Sequence, residues 1–247
     1  MNHAVLTTAS VPGVHSPDAP RDLSRSRMRQ SRIIGALFLA GFLVYGGGSS
    51  LVASLVGGPD LLARIAPLGS LLALGAFLLL LNTAVDLAKA VLFFPILERH
   101  SKRTALTYFA TLIVQVVFLS IGALAVFLMV PLSQRAGEPG AETLGTSLVE
   151  LNGIAYQAGQ MTLGVGATLL CALLFRTRLV PRWLAVAGLI GYPSHVVGTI
   201  AELFGVHVGF YFTVPGFFFE LVLPVWLLIK GFQRAAYEGP SSSESRA

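Results

Sequence analysis

Residues 68–97 read LGSLLALGAFLLLLNTAVDLAKAVLFFPIL, and this stretch decides which solvent the chain folds in. It holds about 17 Leu, Ile, Val or Phe side chains and two charges, Asp86 and Lys89, before Glu98 ends it. The hydrocarbon core of a bilayer is about 30 Å thick, and about 20 apolar helical residues cross it. An Asp and a Lys at the centre of a span cost about 6 kcal/mol together, while 17 large apolar residues return about 5–10 kcal/mol. The segment therefore inserts, and its two charges must turn toward protein or water rather than lipid.

Working outward, five further stretches qualify as spans: residues 33–56, 106–132, 152–175, 183–204 and 208–230. The whole chain agrees, with 54% hydrophobic residues, 12% charged residues and a mean hydropathy of +0.74 over 247 residues. The charged share is about half that of ordinary soluble proteins, so water cannot be the solvent for most of the surface. One cysteine, Cys171, rules out a disulfide scaffold and reads as a small apolar filler. The fold expected is an all-α bundle of six transmembrane helices over residues 33–232. Polar tails flank it, a basic one at 1–32 and a second at 233–247, and both are expected to be disordered.

The connectors carry breaker chemistry. Gly57-Gly58-Pro59-Asp60 closes the first span, Gly205 marks a tight fifth-to-sixth turn, and 133–151 is the longest expected loop. Basic residues then test the topology. With the N-terminus inside, fourteen of the 17 Lys and Arg fall on the cytoplasmic side, Arg64 and Arg135 fall outside, and Lys89 lies in a span. That asymmetry predicts both termini in the cytoplasm of a multi-pass protein of the cell membrane. The net charge of +5 is thus a topology signal and not a nucleic-acid footprint. The first apolar run outlasts a signal-peptide core, so it reads as an uncleaved anchor.

Ionisable groups at membrane depth are costly and point by default to function. Asn82, Asp86 and Lys89, spaced i, i+4, i+7, share one helical stripe. Counting inward at about 1.5 Å per residue puts Lys89 about 13 Å deep, Asp86 about 18 Å, Glu220 about 15 Å, and Gln115 and His195 about 18–20 Å. These six residues form the candidate polar cluster. Asp86 and Lys89 are expected to pair along their helix, leaving Glu220 without a partner on its own span. The cluster serves either charge handling in transport or the fixing of helix register. Gln115, Gln157 and Gln160 are expected to hydrogen-bond between helices, Glu202 to sit near the outer interface, and Pro215 and Pro224 to bend the last span around Glu220.

No phosphate-binding loop, His-Glu-x-x-His, Gly-x-Ser-x-Gly or Cys-x-x-Cys pattern occurs, and no cofactor or metal is expected. Three short features, taken in order, then carry a likeness. Arg32-Ile33-Ile34-Gly35 opens the first span, Val180-Pro181-Arg182-Trp183-Leu184 enters the fifth, and Pro215 to Gly231, with Glu220 ahead of Trp226-Leu227-Leu228, closes the sixth. Over residues 32–232 the chain resembles the prokaryotic membrane-protein family called domain of unknown function 4386. The resemblance implies a six-helix membrane protein and supplies no reaction; the Asp86–Lys89 pair has no counterpart in the pattern matched. Two readings of function follow. One is a small, non-enzymatic proton- or solute-translocating protein that uses the midplane carboxylates. The alternative is a scaffold or sensor subunit acting through a protein partner or as a homo-oligomer in the lipid bilayer.

Overall fold

The computed structural model describes residues 19–233, and among these every regular element is helical. Helix α1 spans Ala19–Leu55 and is followed by a short α2, Leu61–Ile65, and a 3-10 turn at Ala66–Leu68. Five long helices complete the chain: α3 Gly69–Glu98, α4 Lys102–Ser133, α5 Ala141–Thr177, α6 Arg182–Leu203 and α7 Gly209–Ile229. Six helical stretches are long and apolar enough to cross a membrane. Each long helix packs on its neighbours in sequence, and α7 returns to pack on α1, so six antiparallel helices form a closed ring.

Three boundaries differ from the sequence expectation. Helix α1 begins at Ala19 rather than near residue 33, so the part of the basic tail at 19–32 is helical. Residues 1–18 lie outside the described residues, as does the C-terminal tail beyond Gln233. Extending a helix already nucleated by an apolar span fixes one residue per added bond, and Arg, Met, Gln and Leu oppose this least. The new turns are also tied down. Ser31 Oγ accepts the Phe232 N–H at 3.2 Å, and Arg32 Nε donates to the Leu228 carbonyl at 3.2 Å. The start of α1 therefore meets the end of α7, and this side of the ring is the terminal end.

The second difference is at the far end, where the expected loop at 133–151 shrinks because α5 already starts at Ala141. Gly137 and Gly140, at φ 96° and 82°, make the turn that only glycine adopts without strain. After them Glu142 sits in the first helical turn, where a negative charge is favoured, and accepts the Leu62 N–H at 3.0 Å. That bond holds α2, the third difference and an element with no sequence forecast, against α5. With 37 residues, α5 is about 55 Å long and must tilt or project beyond the hydrocarbon.

The turns at the terminal end are tight. Ser101 caps α4 by accepting the Thr104 N–H at 3.3 Å. At the far end α6 stops in a Schellman arrangement, with Val206 N–H on the Ala201 carbonyl at 2.9 Å and Gly205 N–H on Glu202 at 3.0 Å. Glu202 then accepts the Gly209 N–H at 2.8 Å, which starts α7 and accounts for this acid at the membrane edge.

Two large apolar clusters fill the ring, with a small third of Leu62, Leu132 and Ala141 at the far end. The larger lies toward the terminal end and draws on all six long helices, with Phe38, Phe93, Leu112, Leu174, Leu184 and Phe219 among its members. Cys171 is buried within it, as expected of an apolar filler. The second lies toward the far end and is built from α1, α2, α3 and α4, including Val52, Ile65, Leu72 and Met129. Helices α6 and α7 contribute nothing to it. Between the clusters the ring is not filled by apolar side chains, and there the polar residues collect.

Candidate functional site

Helix α3 brings its own trio together. Asn82 Nδ2 donates to Asp86 Oδ2 at 3.0 Å, and Lys89 Nζ pairs with Asp86 Oδ1 at 2.5 Å. The i, i+4, i+7 stripe does what the spacing predicts, and both oxygens of Asp86 are engaged by its own helix. Lys89 also stands 4.6 Å from the centre of the Phe38 ring of α1, a cation–π contact strengthened by exclusion of water. The close approach of α1 rests on Gly41. A β-carbon there would lie 3.3 Å from Asn82 Oδ1 and 3.5 Å from Lys89 Nζ, so a larger side chain would occupy the space in front of the trio.

Glu220 comes from the opposite wall, on α7, and accepts a hydrogen bond from the Tyr192 hydroxyl of α6 at 2.9 Å. The contact between those two helices is set by Gly191 and Gly216: a β-carbon on Gly191 would fall 2.5 Å from the Gly216 backbone. Close backbone approach of this kind is how helices associate in lipid, where no hydrophobic force acts between them. Pro224, four residues after Glu220, removes the N–H that would bond the Glu220 carbonyl.

Asn82, Asp86, Lys89, Gln115 and Glu220 line one cavity of about 110 Å³. The five residues arise on three helices and converge from both sides of the ring. Phe38, Phe42, Tyr45, Tyr108 and Tyr192 complete its walls. Gln115 departs from its expected part as an interhelical hydrogen-bonding residue. Its side chain is 3% exposed and its amide oxygen has no partner in the protein; Asn82, 5% exposed, likewise has an unpartnered Oδ1.

His195 lines an adjoining cavity of about 300 Å³ rather than the first. Each of its ring nitrogens has a partner, Nδ1 with Thr213 Oγ1 at 3.0 Å and Nε2 with the Gln160 amide oxygen at 3.2 Å. It is a satisfied wall residue that ties α5, α6 and α7 together, and Gln160 takes the interhelical part foreseen for it. The two cavities share Phe42, Tyr45, Gln160, Tyr192 and Glu220, and a third of about 240 Å³ continues from Tyr45 and Tyr156 to Val56 and Asn152.

Sequence reasoning missed the aromatic part of this site. The signal was available: Tyr45, Tyr108 and Tyr192 fall well inside spans, whereas tyrosine in a membrane protein usually marks the interface. A tyrosine hydroxyl at depth needs a polar partner, which Tyr192 finds in Glu220. Tyr45 of α1 stacks on Tyr156 of α5, ring centres 5.8 Å apart.

Fold and site together define an all-helical integral membrane protein whose six spans enclose a charged, aromatic-walled cavity between two apolar clusters. The chain belongs to the family described as Domain of unknown function (DUF4386), whose model matches residues 33–231. No curated protein and no solved structure matches it.

Proposed function

We propose that this protein translocates a proton or a small solute across the cytoplasmic membrane and that Glu220, facing Asp86 and Lys89 across the cavity, is the group that handles charge. One observation carries the reading. Two carboxylates and one lysine face the same cavity midway along helices long and apolar enough to cross a membrane, sealed by apolar packing toward one end and continued by further cavities toward the other. A bundle that needed only helix register would be served by the Asp86–Lys89 pair alone. Glu220, on the far wall, adds a desolvation cost that this pair does not require.

With the termini on the basic, cytoplasmic side, the sealed end faces the cytoplasm and the cavities lead outward. Alternating access would then require the far end to open and close and the terminal cluster to part in turn. The test is purified protein in liposomes with an internal pH-sensitive dye and an imposed proton gradient. A dissipation rate above empty vesicles that falls to the vesicle background in Glu220→Gln supports the reading. Equal rates in wild type, variant and empty vesicles, with no solute counterflow, overturn it and favour the scaffold or sensor reading.

A further inference from the structure

We infer that the cavity is a binding site for a small primary ammonium ion, with the charged head among Glu220, Asn82 and Gln115 and the carbon chain in the adjoining aromatic chamber. The inference rests on the translocation reading in naming the class of solute for the same site. The argument begins with unmet hydrogen-bonding capacity. Asn82 Oδ1 and Gln115 Oε1 are both acceptors, both more than nine-tenths buried, and both without a partner in the protein. The Asn82 orientation is fixed by chemistry, because its nitrogen is needed by the Asp86 carboxylate. A buried acceptor left unpaired costs about 1–3 kcal/mol, so two facing one cavity call for a donor from outside the chain.

Charge gives the donor its sign. Asp86 is neutralised by Lys89 at contact distance, while Glu220 receives only the Tyr192 hydroxyl, at one of its two oxygens. Counted as ionised, the two carboxylates outnumber the one lysine, so the cavity is short of one positive charge and rich in acceptors. Anions are repelled, and a neutral alcohol brings a single donor to three acceptors. A primary ammonium brings one charge and three N–H donors.

The walls separate an organic cation from a metal ion. A calcium ion takes about six to eight oxygens and has no use for rings, whereas five aromatic rings, those of Phe38, Phe42, Tyr45, Tyr108 and Tyr192, stand among the oxygens of this lining. Phe42, Tyr45 and Tyr192 border both the 110 Å³ chamber and the 300 Å³ chamber next to it. Ring faces stabilise an ammonium head and accept an apolar chain equally well. Lys89 over Phe38 is the same interaction made within the chain, a tethered primary ammonium already held between a carboxylate and a ring. A quaternary ammonium would gain the ring contacts but leave both amide oxygens unpaired.

The experiment is isothermal titration of full-length protein in nanodiscs with 2-phenylethylammonium, with empty nanodiscs as the blank. 2-Phenylethanol, 3-phenylpropionate and tetramethylammonium serve as contrasts. Saturable binding of the primary ammonium, weakened about tenfold or more in Glu220→Gln and severalfold in Gln115→Leu, is expected. Gln115→Leu removes an unpartnered buried acceptor and keeps the volume, so it is the variant least able to fail by misfolding. Binding no stronger than that of the alcohol, or unchanged in both variants, overturns the inference. Glu220-dependent proton flux without ammonium binding would sink this site and leave the translocation reading standing. Ammonium binding without any flux would do the reverse.

Discussion

Replacing Lys89 by methionine keeps the unbranched stem and removes only the ammonium, which leaves Asp86 facing the cavity with Asn82 as its remaining donor. The Lys89 and Asp86 side chains are 14% and 7% exposed, so bulk water is largely kept from the lost contact. Breaking a buried pair by removing one partner costs about 3–5 kcal/mol. The retained Asn82 bond places this case at the lower end, about 3 kcal/mol. Removing both charges, in Asp86→Leu with Lys89→Met, should return stability to within about 1 kcal/mol of wild type, because the uncompensated charge is gone. Asp86→Leu alone strands the Lys89 ammonium and should cost a similar amount, so the coupling energy of the cycle is about 5 kcal/mol, well above the scatter for independent sites. Reversible unfolding of the four proteins in bicelles gives the quantity directly. A single variant as stable as wild type, or losses that simply add, would refute the claim that the pair is a buried unit. The double variant has a second use: a folded bundle without flux would show that the pair serves transport and not register alone.

Gly191→Ala should lower stability by about 1–3 kcal/mol, because the added carbon meets the rigid Gly216 backbone at 2.5 Å and α6 must move off α7; thermal unfolding in detergent measures it. The exposed Arg135–Glu138 pair holds the Glu138 carboxyl below the usual carboxylate range, chiefly through its hydrogen bond from Arg135. A lowered folded-state value means the contact is present at neutral pH and is lost as pH falls through that lowered value, which NMR of the labelled Glu138 carboxyl would show as a midpoint below that of free glutamate. Arg103→Cys, in a Cys171→Ala background, should react with an impermeant maleimide only after the cytoplasmic face is exposed, and labelling of intact cells would overturn the topology expected from the basic residues.

The six spans were legible because lipid makes a simple demand: a helix must be long and apolar enough, and residues 68–97 meet it even with two charges inside. The α3 trio was legible for a similar reason, since i, i+4, i+7 spacing fixes a common face within one helix. Helix starts were harder to read. Ala19 and Ala141 both lie in polar sequence, and the contacts found in those stretches, the Phe232 N–H on Ser31 and the Leu62 N–H on Glu142, come from distant parts of the chain. The cavity was hardest of all. Its content depends on which faces of α3, α4, α6 and α7 meet, and a tyrosine such as Tyr108 looks the same in sequence whether it faces lipid or Glu220.

The way the clusters are distributed says which part of the ring can move. Helices α6 and α7 are joined closely through Gly191 and Gly216, and their buried apolar side chains enter only the terminal cluster. Toward the far end they border cavities, and the seam with α5 includes the His195–Gln160 contact at 3.2 Å. The opposite seam is different: α1 meets α7 through Gly35 against the Pro224 carbonyl and through Arg32 on the Leu228 carbonyl. A bundle that opens at the far end while keeping this terminal seam would leave α1 to α5 packed and swing α6 with α7 as one unit. Glu220 and Tyr192 ride on that unit, and Asp86, Lys89 and Asn82 stay with α3. Such a motion changes the distance between the two walls of the cavity, so an occupant bound to both walls would favour the closed arrangement by its differential affinity alone.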